Sequence, residues 1–95
     1  MAAMADKLWV VDVASAKSMS AVVPSAVLLM RKGYRAYVTK SRLAGEEWIR
    51  LRIGFYENIL EAMKVSEEVK ALLNMSETPM PIKLDTKEFE RFAGD

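Results

Sequence analysis

The eight residues 47–54 constrain the fold more than any other part of the sequence. They read Glu-Trp-Ile-Arg-Leu-Arg-Ile-Gly, so apolar aliphatic residues alternate with Trp48, Arg50 and Arg52. This period of two is typical of a β-strand with one buried face. A tryptophan on the solvent face of a sheet is uncommon, and a ring beside guanidinium groups suits a ligand with flat apolar surfaces and negative charge. A sugar chain with carboxylates and single-stranded nucleic acid both meet that description, unless the chain's own tail covers Trp48.

The composition excludes several classes of protein. The 95 residues suffice for one small domain, and 14 basic and 13 acidic residues give a net charge of +1. This balance produces no overall field that would attract nucleic acid. The absence of cysteine and histidine excludes disulfides, thiolate catalysis, histidine triads and the usual zinc sites. The sequence therefore predicts a noncatalytic protein that uses no cofactor and no metal.

The two ends of the chain contribute little to the predicted fold. Residues 1–7 are expected to be disordered or to derive from an expression vector, and they are too short and too polar for a signal peptide. No apolar run reaches the length of a membrane span, so direct membrane insertion is not expected. Residues 85–95 are predicted to be a C-terminal tail, in which Thr86–Phe92 has the pattern of a short helix.

The first half of the chain reads as a strand, a helix and a second strand. Residues 8–14 are rich in β-branched side chains and predict a strand. Its inward residues are expected to be Trp9, Val11 and Val13, and its outward residues Val10, Asp12 and Ala14. A helix is expected over about 21–32, with Pro24 in its first turn and Gly33 just after its end. Residues 34–40 predict the second strand, with Arg35, Tyr37 and Thr39 on one face and Ala36 and Val38 on the other.

The second half predicts a hairpin, a helix and an edge strand. Residues 41–46 are expected to form a loop wider than a two-residue hairpin, and Gly54 is expected to end the third strand. Asn58 can cap a helix that runs to about Leu73. The apolar positions of that helix are Ile59, Ala62, Met63, Val65, Val69, Leu72 and Leu73. Irregular chain over 74–81 would then lead to a short edge strand at 82–84.

This βαββαβ order predicts a ferredoxin-like α+β fold. Short connections and right-handed crossovers give a four-stranded antiparallel sheet in the order 4-1-3-2, with two helices on one face. The other face would be open to solvent. The residues expected on the open face are Asp12, Arg35, Tyr37, Thr39, Trp48, Arg50 and Arg52.

Three motifs resemble the SPOR (sporulation-related repeat) domain. They are Trp-Val-Val-Asp-Val-Ala-Ser at 9–15, Lys-Gly-Tyr-Arg-Ala-Tyr-Val at 32–38 and Trp-Ile-Arg-Leu-Arg-Ile-Gly at 48–54. The resemblance implies a SPOR-like domain over 8–84 with an open-faced sheet. It also implies binding to peptidoglycan glycan strands that lack stem peptides, which brings SPOR proteins to bacterial division septa.

The resemblance assigns binding residues position by position. Ser15, Trp48 and Arg50 match family binding positions, whereas the first-strand glutamine of the family is Asp12 here. The complete predicted glycan-binding set is Asp12, Ser15, Arg35, Tyr37, Trp48, Arg50 and Arg52. An ionised aspartate only accepts hydrogen bonds, so we expect Asp12 to repel the lactyl carboxylates of stripped glycan. Asp12 could equally serve as an ion-pair partner of Arg50.

The resemblance implies a location in the periplasm or cell envelope, as a fragment of a larger exported or membrane-anchored protein. Its implied partners are peptidoglycan glycan strands and proteins of the division machinery. The alternative function is a diverged SPOR-like interaction or dimerisation module that has lost glycan binding. Single-stranded RNA binding fits the architecture, but the neutral charge and the inward Trp9 argue against any nucleic-acid partner.

The first predicted helix has more apolar residues than one buried stripe can hold. The inward stripe is expected to be Val22, Ala26 and Leu29, with Val23 as a further candidate. Leu28 should then be partly exposed, with Val27 or Met30 beside it. This leftover apolar surface predicts a monomer or a weak homodimer.

Overall fold

The computed structural model describes residues 8–84 as four strands and two helices. The strands are β1 (Trp9–Ala16), β2 (Ala36–Leu43), β3 (Glu46–Tyr56) and β4 (Met80–Lys83). The helices are α1 (Val23–Arg31), which a 3-10 turn at Met19–Ala21 precedes, and α2 (Ile59–Leu72). The sheet is antiparallel in the order β2-β3-β1-β4, which confirms the predicted ferredoxin-like α+β fold. The predictions for residues 1–7 and for the tail at 85–95 lie outside the described residues.

The core lies between the helices and one face of the sheet. Ile49, Leu51 and Ile53 of β3 are buried as their alternation predicts, and Ala26 and Leu29 of α1 pack against the same cluster. The other buried members of this core are Val11, Val13, Val22, Ala36, Ala62, Val65 and Val69. Both helices therefore cover the same face, and no helix of residues 8–84 lies on the opposite face of the sheet.

A β-bulge in β1 changes which residues face solvent. Asp12 lies opposite Arg52 and Ala14 lies opposite Leu51, so Val13 is an extra residue between them. The prediction that Ala14 shares the outer face with Asp12 is wrong, because the bulge turns Ala14 towards the core. The same bulge places Ser15 opposite Arg50 on the open face. Asp12 and Ser15 thus share a face although they are three positions apart.

The β2–β3 connection is tighter than predicted. Leu43 pairs with Glu46, so Ala44 and Gly45 form a two-residue turn. Both have positive φ, 53° and 80°, as a type I′ turn requires. The expected wider loop is therefore wrong, because an alanine takes the left-handed conformation that usually favours glycine or asparagine. The strand β3 also continues past Gly54 to Tyr56 instead of ending there.

The helix ends follow the predicted capping residues. Gly33 has a φ of +93°, and the Tyr34 N–H donates to the Leu29 carbonyl at 3.0 Å, which closes α1 with a Schellman motif. The Asn58 side chain accepts from the Glu61 N–H at 2.8 Å and caps α2. The cap stabilises the helix because it satisfies a backbone donor that has no intrahelical partner.

Some predicted helix-face assignments are wrong. Val22, Ala26 and Leu29 form the buried stripe of the first helical segment as expected, but Val23 is 42% exposed. In α2, Ile59 and Met63 are exposed although their spacing assigned them to the apolar side. No helix within residues 8–84 combines the length and the apolar character that crossing a bilayer needs.

Candidate functional site

The open face of the sheet carries three cross-strand rows of polar and aromatic residues. The first row joins Tyr37, Arg52 and Asp12 across β2, β3 and β1; the second joins Thr39, Arg50 and Ser15; the third joins Ser41 and Trp48. Directly opposed residues in an antiparallel sheet share a face. The register therefore places six of the seven predicted binding residues in neighbouring rows, and Arg35, which precedes β2, is the exception.

Two arginines on the open face bond the same carboxylate. Arg50 Nη1 donates to Asp12 Oδ2 at 3.2 Å, and Arg52 Nε donates to Asp12 Oδ1 at 3.3 Å. The side chains of Arg50, Asp12 and Arg52 are 27%, 21% and 14% exposed. Partial burial strengthens the attraction within these pairs relative to fully exposed ion pairs and also adds a desolvation cost. The Asp12–Arg50 pair that the sequence allowed is therefore present, and Arg52 joins it.

Arg50 is also held from the β2 side. Its Nε donates to Ser41 Oγ at 3.0 Å, so one guanidinium bridges side chains from β1 and β2. A guanidinium has five N–H donors in one plane, and the bonds to Ser41 and Asp12 leave donor capacity for a ligand. Sequence reasoning missed Ser41 because residues 41–46 were assigned to a loop. In the structure β2 extends through Ser41, which lies opposite Trp48.

Trp48 is half-buried next to this arginine. Lys17 Nζ lies 5.4 Å from the Trp48 ring centroid, and the same ammonium group bonds Glu46 Oε1 at 3.0 Å. A cation over an indole face is attracted by its π electrons. Lys17 was not predicted, but its position two residues after Ser15, on the same side of the chain, is a signal that could have identified it. The prediction that the tail could cover Trp48 concerns residues outside the described range.

The other half of the open face is apolar. Leu8, Val10 and Leu84 are buried there, and Tyr37, Phe55 and Ile82 pack around them. The Tyr37 and Phe55 ring centroids are 5.5 Å apart. Val10 therefore points outward as predicted, but this second small cluster covers it. Tyr37 is therefore the last residue of the polar rows on this side, and the polar site lies in the half of the sheet around Arg50.

Arg35 lies apart from the other predicted cations. Its guanidinium carbon is 5.5 Å from the Phe55 ring centroid, at the apolar end of the face. The structure thus brings Asp12, Arg50 and Arg52 into direct contact, with Trp48 and Ser15 in adjacent positions, and it does not bring Arg35 to that cluster. Phe55, which sequence reasoning did not assign to the site, provides the surface on which Arg35 rests.

Comparisons with known proteins identify the fold. No family model and no curated protein matches the sequence. Among solved structures, the SPOR protein DedD aligns with 85% of this chain and 42% of its own chain, with 22% identity and a TM-score of 0.57. A protein of Burkholderia pseudomallei K96243, provisionally described as exported, aligns over 79% of this chain and 15% of its own, with 19% identity and a TM-score of 0.59. This chain spans less than half of either structure, and the likeness shows a SPOR-like fold.

Proposed function

We propose that this chain is a noncatalytic module that binds peptidoglycan glycan strands from which the stem peptides have been removed. The observation that carries the proposal is the clamped Arg50 guanidinium, fixed by Ser41 and Asp12 in the strand position two residues from Trp48. A cation held in place beside an indole ring loses little conformational entropy when a ligand binds.

The chemistry of a stripped glycan suits this arrangement. The apolar face of a sugar ring stacks on an indole, and the lactyl carboxylates of muramic acid pair with guanidinium groups. Trp48, Arg50 and Arg52 lie at alternate positions of β3, about 7 Å apart along the strand. A glycan chain that runs along β3 would therefore meet an aromatic contact first and then two cations. Asp12 would accept hydrogen bonds from sugar hydroxyls at the edge of this track.

The place of action follows from the same proposal. DedD is a SPOR protein, and the second structural neighbour is described as exported. Both support a location in the periplasm or cell envelope. We propose that binding to stripped glycan brings a parent protein to the bacterial division septum, where it would meet other division proteins.

A sacculus pulldown tests the glycan site. Trp48→Ala and Arg50→Ala are each expected to reduce retention on amidase-treated sacculi at least tenfold, with weak retention of the unmodified protein on untreated sacculi. Leu60→Ala is the matched control, because Leu60 is 74% exposed on α2, on the other side of the sheet. Equal retention of all four proteins would contradict the site. If the unmodified protein shows no retention on either material, the diverged interaction module is the better assignment.

A further inference from the structure

The outer flank of α1 carries an apolar stripe without a partner among residues 8–84. Val23, Val27 and Met30 of α1, together with Met19 of the preceding 3-10 turn, recur at intervals of three or four and are between 40% and 55% exposed. The helix contains no charged residue before Arg31. A surface helix ordinarily presents charged or polar side chains to water. An outer flank of this composition is typical of a contact surface.

The stripe faces the β2 edge of the molecule. A cavity between the helices is lined by Lys32 from the end of α1 and by Tyr34 and Glu68, so Lys32 marks the side of α1 that faces α2. Val23 and Val27 lie roughly 140–180° around the helix axis from Lys32. They therefore point away from α2, towards the side on which β2 is the edge strand.

That edge is cationic. Lys40 lies opposite the core residue Ile49, and Arg42 lies opposite Glu47, so both side chains are on the face of β2 that the helices cover. Lys40, Arg42 and Arg31 are exposed. No acidic residue occurs between Asp12 and Glu46 in the sequence. This flank of the molecule thus combines apolar contacts with three exposed cations, one of which, Arg42, has Glu47 opposite it on β3.

We propose that the β2 edge and the α1 flank form a binding site for an extended peptide segment that mixes acidic and β-branched residues. Such a segment would add to β2 as a fifth strand. The edge strand presents backbone N–H and C=O groups every second residue, and strand addition satisfies them. Acidic side chains on the helix side would pair with Lys40 and Arg42, and apolar ones would cover the α1 stripe.

The charges favour this occupant over the alternatives, and so does the β2 edge, which pairs with no further strand within residues 8–84. Antiparallel pairing of β2 with β2 of a second copy would place the Lys40 and Arg42 side chains of both copies on one face, and like charges close together across a strand pair are destabilising. A bilayer would leave the backbone groups of the strand edge without partners. An acidic strand meets both the charge and the hydrogen-bonding requirement.

A labelled peptide provides the test. The probe is Val-Thr-Glu-Thr-Val-Thr-Glu-Thr, which matches the eight residues of β2 and places Val and Glu on one side of a strand. The control peptide has Lys at both Glu positions. Fluorescence anisotropy should show saturable binding of the acidic probe at least tenfold tighter than that of the control. Amide NMR shifts should map to residues 36–43 and to α1.

Charge reversal in the protein makes the test decisive. Lys40→Glu/Arg42→Glu should weaken the acidic probe about tenfold or more and strengthen the lysine control. Val27→Glu should weaken the acidic probe too, whereas Leu60→Glu, the same kind of substitution at a more exposed position on α2, should leave it unchanged. The proposal is overturned by no binding of the acidic probe, by equal binding of both peptides or by shifts confined to the open face. A further result would also overturn it: the unmodified protein self-associates or binds anionic vesicles, the Val27→Glu variant does neither, and both proteins bind the acidic probe equally.

Discussion

The side chains on the two faces of β3 alternate along one strand, but they tolerate different kinds of substitution. On the core side, Ile49, Leu51 and Ile53 are at most 5% exposed, and any apolar side chain of the right volume would fill their places. On the open side, Arg50 and Arg52 meet Asp12 at 3.2 Å and 3.3 Å, and only particular functional groups can replace them. Substitutions on the core side should therefore act on stability, and those on the polar half of the open side should act on binding.

Part of the open face is packed as tightly as the core. Val10 has no exposed surface, and Gly54 opposite it has no side chain to compete for the space. The polar rows around Arg50 have no comparable packing constraint. The division between stability and binding thus lies within the open face as well as between the two faces. It falls at Tyr37, which belongs to the first polar row and also packs against the apolar cluster.

The largest predicted effect is the loss of the Leu51 side chain. Leu51→Ala creates a cavity beneath both helices and should lower the free energy of unfolding by about 2–5 kcal/mol. Trp48→Ala removes more atoms from the half-buried side of the same strand and should cost about 1 kcal/mol. Urea unfolding followed by circular dichroism measures both. A larger loss for Trp48→Ala would mean that Trp48 belongs to the core and would remove the contrast between the faces.

The next largest effect concerns Gly54. A Cβ at this position would lie 3.0 Å from Val10 Cγ1, closer than ordinary van der Waals contact, and Val10 is itself fully buried. Gly54→Ala should therefore destabilise the fold by about 1–3 kcal/mol through overpacking. In a Val10→Ala background the same substitution should cost less, because the opposing methyl group is gone. Equal costs in both backgrounds would show that overpacking is not the cause.

The dependence of stability on alkaline pH tests the burial of Tyr56 at the end of β3. Tyr56 packs against the core cluster, and burial, followed by the nearby Tyr34, Glu61 and Glu68, raises its pKa from 10.0 to about 12. The folded state then keeps the Tyr56 proton at pH values where the unfolded chain loses it. This contribution to stability is complete below about pH 10 and disappears as the pH rises through about 12.

The Tyr56→Phe variant isolates that contribution. Unfolding midpoints measured from about pH 9 to about pH 12 should fall less steeply for Tyr56→Phe than for the unmodified protein. Tyr34→Phe should have the same direction of effect, because the 2.7 Å bond from Tyr34 to Glu68 raises the pKa of the Tyr34 phenol. Identical slopes for Tyr56→Phe and the unmodified protein would show that another group titrates.

The sequence predicts the fold well because its signals are local and redundant. Alternation at 47–54 locates the central strand, and Gly33 and Asn58 mark helix ends through conformations and bonds that few other residues provide. The bulge at Val13 leaves no comparable trace, because an extra valine in an apolar run looks like any other strand residue. Ala44 likewise gives no sign of its left-handed conformation, which the hairpin imposes on it.

The site is less predictable than the fold because it depends on pairing between strands. Trp48 and Arg50 follow from the alternation, but the contact of Arg52 with Asp12 depends on the register that the bulge sets. Arg35 instead lies over the Phe55 ring at the apolar end of the face. Neither fact can be read from one strand alone.

The smallest predicted effect, and the most informative for the binding side, is that of Asp12→Asn. The Asp12 ion pairs are partly exposed and asparagine keeps the shape of the side chain, so the free energy of unfolding should change by less than about 1 kcal/mol. Arg50 keeps its bond to Ser41 Oγ, and an asparagine keeps one acceptor oxygen, so the arginines stay near their positions. The face gains one positive charge, and retention on amidase-treated sacculi should rise about threefold, equivalent to less than 1 kcal/mol.

Ser41→Ala is the control for this prediction. If Asp12 acts by orienting Arg50, both variants should weaken retention, and that result would contradict the repulsion of glycan carboxylates by Asp12. Unchanged retention in Asp12→Asn would place Asp12 outside the bound glycan.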